Sequence, residues 1–196
     1  ADRFEEARIQ RCGVADCQFD YGRSDPSMVF RDAYGLDVLA GSPEAAAEKL
    51  RGRATGPDLV AALDDWGWEV ARTPAADLDT ARRLFAVADR LDADPARAGL
   101  RATILTLAGG DRRRLAGVIV RNQLHARGHP PAWAAERDRL VATGDAEFFR
   151  TQLPPTVVML ANALVVVGEP QRALEVIGRG LERHPESFWL HVRAAE

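Results

Sequence analysis

The stretch Pro154–Ser187, PPTVVMLANALVVVGEPQRALEVIGRGLERHPES, decides how the rest of the chain is read. It is 34 residues long and breaks at Gly168-Glu169-Pro170 into two segments of helical periodicity. Leu160, Ala161 and Leu164 share one face of the first segment, and Ala173, Ile177, Gly180 and Leu181 share one face of the second. Small residues at Ala161, Ala173 and Gly180 allow two antiparallel helices to approach closely, while Leu160, Leu164 and Ile177 fill the space between them. Gly168 ends the first helix, Pro170 can start the second, and Pro185 closes the unit.

A helix–turn–helix unit of this length and residue order resembles the tetratricopeptide (TPR) motif. The resemblance implies an all-α fold, a right-handed solenoid of stacked antiparallel helix pairs, and an interaction surface in place of a catalytic centre. The segment Asp77–Asp92 carries a second trace of the motif. Ala81, Phe85 and Ala88 repeat the spacing of Ala173, Ile177 and Gly180, with Pro95 downstream as Pro185 is.

Outward from these units the chain reads as helix after helix. Asp2–Cys12 is a short amphipathic segment stopped by Gly13, and Val14–Asp25 is irregular. Asp25-Pro26 starts a helix that Gly35 terminates, and Ser42-Pro43-Glu44 predicts one from Pro43 to about Arg53. Gly56-Pro57-Asp58 opens the next, reaching Arg72, and Asp94-Pro95 opens one that Gly109-Gly110 ends. Asp111 caps a further helix through Leu124. Between Pro130 and Leu153 the pattern suggests two short helices separated by Gly144-Asp145. The organisation is thus an N-terminal helix and loop (1–25), degenerate helical repeats (26–153), a regular unit (154–187) and the start of a further repeat (188–196). An apolar, half-length final helix is the expectation for a piece of a longer polypeptide, since solenoids normally end in a polar cap.

The helix beginning at Gly56 holds LVAALDDWGWEV. Leu59, Ala62, Leu63, Trp66 and Val70 form one apolar stripe, and Trp68 lies on nearly the opposite side. One indole is expected in the core and the other against a neighbouring helix or at the surface. Asp64 and Asp65 are adjacent, so their side chains diverge by about 100° and do not converge on one substrate atom. A solvated or Arg-paired face is the expectation for both.

Composition excludes several classes. With 46% hydrophobic residues, 196 positions can bury a substantial core. A net charge of −3 leaves no basic surface of the kind nucleic acid needs, and the arginines are scattered over the helices. No apolar run approaches the roughly 20 residues of a membrane span, and no signal-peptide core opens the chain. Reduced thiols at Cys12 and Cys17, with no second pair for zinc, fit a cytoplasmic protein. His125 and His129 have metal-pair spacing, but Gly128 and Pro130 break the helix there and no third ligand is evident. Arg112-Arg113-Arg114 opposes its helix dipole without the Gly-rich loop of a phosphate site. No cofactor, no metal and no enzymatic activity are expected, since neither Ser/His/Asp, Cys/His nor paired carboxylates form a set.

Set side by side, FRDAYGLDV, ALDDWGWEV, LDADPARAGLR, PPTVVMLANAL and HPESFWLHV resemble the TPR-bearing region that follows the kinase domain in certain bacterial serine/threonine protein kinases. The resemblance spans Phe30 to Val192 and implies a regulatory or substrate-recruiting module. No kinase residue carries over, because the glycine-rich loop, the strand lysine, H-R-D and D-F-G are all missing here. The TPR resemblance also implies a concave groove for a protein or peptide, lined by Val158, Asn162 and Val165 and extended by Trp189 and Val192. Asn162 matches a position that grips peptide backbone or carboxylate, whereas Val158 stands where chaperone-binding relatives have Lys. That departure points to an apolar helix or extended segment and away from an acidic tail. A structural spacer, or self-association through the half-length C-terminal helix, is the competing expectation, and an enzyme with an unrecognised site ranks below both.

Overall fold

The computed structural model describes residues 14–15, 18–19, 27, 30–31, 35–51, 56–73, 75, 77–110, 133–144 and 146–195. The helix expected at Asp2–Cys12, the helix opened by Asp111, both cysteines, Arg112–Arg114, His125 and His129 lie outside these residues. Within the stretch expected to be irregular, β1 (Val14–Ala15) and β2 (Gln18–Phe19) form a minimal antiparallel pair, with Val14 opposite Phe19 and Ala15 opposite Gln18. The other regular elements among the described residues are helices, and the fold class is all-α.

Local chemistry sets the helix boundaries. Gly35, at φ 62°, donates its N–H to the Arg31 carbonyl, a left-handed conformation that glycine adopts without strain. α1 (Pro43–Leu50) begins where Ser42 Oγ accepts the Ala45 N–H at 3.2 Å. It stops earlier than the sequence suggests, because Arg51 is extended and sends its guanidinium to Glu48 and the Arg90 carbonyl. α2 (Gly56–Arg72) and α3 (Leu78–Leu91) form the first tight antiparallel pair, α3 being capped by Asp77. α4 (Pro95–Gly110) starts at Asp94, whose Oδ1 accepts from the N–H groups of Ala96 and Arg97 at 2.8 and 3.1 Å. α5 (Ala134–Thr143) and α6 (Ala146–Thr151) follow, then α7 (Pro154–Val166), α8 (Pro170–Arg183) and α9 (Phe188–Ala195).

The α7–α8 turn shows why Gly168 is required. At φ 85° its N–H reaches the Val165 carbonyl, and the Glu169 N–H reaches that of Leu164, which satisfies the last carbonyls of α7. The two helices then pack antiparallel, with Gly180 of α8 against Val157 of α7. The α2–α3 pair uses the same device: Gly67 leaves room for the Phe85 ring, which a side chain there would overlap.

Two hydrophobic cores result. The first joins Phe30, Leu50, Leu63, Trp66 and Leu84, with Phe30 and Trp66 stacked at 5.9 Å between centroids. The second joins Trp68 and Phe85 to Ile104, Trp133, Leu140, most of α7 and the apolar face of α8 at Ala173, Val176 and Ile177. Both indoles of α2 are therefore buried, Trp66 in one core and Trp68 in the other. The α2–α3 pair is the shared wall between them, because α3 likewise turns Leu84, Val87 and Ala88 to one core and Ala81 and Phe85 to the other.

α7 carries no charged residue, so no face of it belongs in water. It packs on α2, α4, α5, α8 and α9. Its contact with α2, about a hundred residues upstream, folds the later helices back on the earlier ones, which a stack with only neighbouring contacts would not do.

Candidate functional site

Val158, Asn162 and Val165 stand at i, i+4 and i+7 on α7, a spacing that brings them into one stripe. Val158 and Val165 are half-buried and pack on the second core. Asn162 is 8% exposed and its Oδ1 has no hydrogen-bond partner. A buried amide oxygen left without a donor costs about 1–3 kcal/mol, which a donor supplied from outside the helix would return. The side chains of Trp189 and Val192 lie outside the described part of the structure. Of the five residues expected to line a groove, the structure places three together, on a helix more deeply buried than a lining helix would be.

A second polar constellation was not legible as such in the sequence. Arg101, 1% exposed, sits among the buried residues Leu100, Thr103, Ile104 and Leu107 of α4. It grips Asp64 of α2 in bidentate fashion, Nε to Oδ1 at 2.6 Å and Nη2 to Oδ2 at 3.0 Å. Its Nη1 donates to Asp89 at 2.6 Å and its Nη2 stands 3.5 Å from Asp92. Arg97, one turn earlier, pairs with Asp92 through both Nε and Nη2 and donates from Nη1 to Gln152 Oε1 at 2.7 Å. Gln152, itself buried, donates from Nε2 to Asp94 Oδ2 at 2.8 Å. The Gln152 carbonyl faces His184 Nε2 at 3.2 Å, just past the end of α8. The visible signal was the density of charge in DRLDADPARAGLR, Asp89 to Arg101, with Arg97 and Arg101 four residues apart.

The electrostatics follow from burial and pairing. Burial pushes the Asp64 carboxyl above the ordinary aspartate value, against the hydrogen bonds and charge of Arg101 and with a small push from Asp92. Burial works against the Arg101 charge, but its bonds to Asp64 and Asp89 hold its pKa above the ordinary arginine value. At Asp92 burial opposes ionisation and Arg97 outweighs it, so the carboxyl titrates low. Asp94 also titrates low, burial being outweighed by Gln152, the backbone N–H groups of Arg97 and Ala96, and the Arg97 charge. The expectation of an Arg-paired face therefore holds for Asp64, but that face is internal and unsolvated. Both Asp64 oxygens are engaged by one guanidinium, an arrangement that holds helices together and leaves no oxygen aimed at a substrate.

Among the described residues no group of His, Cys, Asp and Glu could hold a metal ion, and no helix is long and apolar enough to cross a membrane. In comparisons with known proteins, no family, no curated protein and no solved structure matches this chain.

Proposed function

We propose that the chain is a non-catalytic, TPR-like protein–protein interaction module: a right-handed stack of antiparallel helix pairs serving a larger bacterial serine/threonine kinase as a cytoplasmic regulatory or substrate-recruiting part. The observation that carries this reading is the unpartnered Asn162 Oδ1, held between Val158 and Val165 on the first helix of the 34-residue unit. An amide acceptor flanked by two valines suits the backbone N–H of an apolar helix or extended segment, with the valines taking its side chains. The two glycine-spaced pairs, α2–α3 and α7–α8, support the repeat character. The stack proposed is closed more tightly than an open solenoid, because α7 meets α2.

The burial of α7 favours a second reading, a structural spacer or self-association domain whose helices meet one another and not a ligand. The full-length polypeptide separates the two. Asn162→Ala and Val165→Arg should lower phosphorylation of protein substrates while leaving kinase autophosphorylation and the fold of this region unchanged. Undiminished substrate phosphorylation in both folded variants refutes recruitment through α7, and a reading frame without a kinase domain refutes the parent class.

A further inference from the structure

The two cores share the α2–α3 wall, and the polar network leaves that wall at one end and reaches the last helix pair at the other. Asp64 and Asp89 stand on α2 and α3, Arg101 and Arg97 on α4, Gln152 just before α7, and His184 just after α8. The links run from the 2.6 Å Arg101–Asp64 bond, through the 3.5 Å Arg101–Asp92 ion pair and the 2.7 Å Arg97–Gln152 bond, to the 3.2 Å contact between His184 Nε2 and the Gln152 main-chain carbonyl.

Apolar packing alone would join these helices without choosing one placement, because burial is non-directional. Bidentate guanidinium–carboxylate pairs do choose one, since their planar geometry is met in a single arrangement. A guanidinium buried to this degree is also a poor substitute for an apolar side chain if stability were the only requirement. We propose that the Asp64–Arg101–Asp92–Arg97–Gln152–His184 series is a clasp that makes the two cores open as one cooperative unit. This holds whether or not α7 binds a partner.

Two links can be cut without disturbing the Asp64–Arg101 pair. Arg97→Met removes the bonds to Asp92 and Gln152 and keeps the aliphatic stem, and Gln152→Ala removes only neutral donors and acceptors at the far end. Native-state hydrogen exchange on the whole chain then compares the slowest amides of α1–α3 with those of α7 and α8. In the unaltered protein the two sets should exchange at matched rates through one opening. In each variant they should separate by about tenfold or more. Arg82→Ala, which breaks the exposed pair with Asp79 on α3, should leave them matched. The proposal is overturned if the two sets stay matched in Gln152→Ala, if they are already unmatched in the unaltered protein, or if Arg82→Ala separates them equally. Should Arg97→Met fail to fold, Gln152→Ala decides alone.

Discussion

A methyl carbon on Gly180 would stand 2.8 Å from Cγ1 of Val157, inside any tolerable carbon–carbon contact. Gly178, two residues earlier on the same helix, is exposed and has nothing within 4 Å of the same hypothetical atom. Both substitutions to Ala gain the same helix propensity, about 0.5–1 kcal/mol. Gly178→Ala should therefore stabilise the protein by that amount, whereas Gly180→Ala should destabilise it by a net 1–2 kcal/mol or so, because Val157 is buried and the overlap must be relieved by separating α7 from α8. Urea denaturation of the two variants measures the contrast, and effects of equal sign would contradict the packing described.

Breaking the Asp64–Arg101 pair leaves a buried guanidinium short of its main partner. Asp64→Ala should cost about 3–5 kcal/mol, while Asp64→Leu combined with Arg101→Met should recover most of that loss, because no uncompensated charge is then buried. A double-mutant cycle by chemical denaturation tests this. Additive losses would mean the two residues do not act as a pair.

Asp92 titrates below the ordinary aspartate value, so its ionised form favours the folded state. That contribution is complete above the unfolded-state pKa of about 4 and is lost as pH falls through the lower folded value. The stability gap between the unaltered protein and Asp92→Asn should accordingly be full at neutral pH and close below about pH 4. Asp64, pushed the opposite way, is present in both proteins and largely cancels in the difference. A gap that stays constant from neutral pH to about pH 3 would exclude a role for Asp92 ionisation.

Two helix caps of the same residue type should differ in weight. Asp77 makes one exposed bond, to the Asp79 N–H at 3.1 Å, and Asp77→Ala should cost about 0.5–1 kcal/mol. Asp94 caps α4 and also holds Gln152, so Asp94→Ala should cost about 2–3 kcal/mol and Asp94→Ser an intermediate amount. Thermal or urea unfolding of the three variants orders them, and equal costs for Asp77→Ala and Asp94→Ala would show that the Gln152 link carries no stability.

The helix boundaries were legible in the sequence because they are set within about one turn of chain. Ser42-Pro43, Asp77, Asp94-Pro95 and Gly168-Glu169-Pro170 punctuate the chain through their own side chains and backbone preferences, and the helices begin and end beside them. The apolar stripes likewise showed which residues would be buried, but not against what. Only the tertiary structure sent Trp66 and Trp68 into separate cores, put α7 on α2, and buried Asn162 where the repeat pattern suggested an open groove. It alone joined Asp64 to Arg101 across 37 residues of sequence. No local preference encodes that pair, because its stability comes from directional bonds between two helices whose relative placement is decided by everything packed around them.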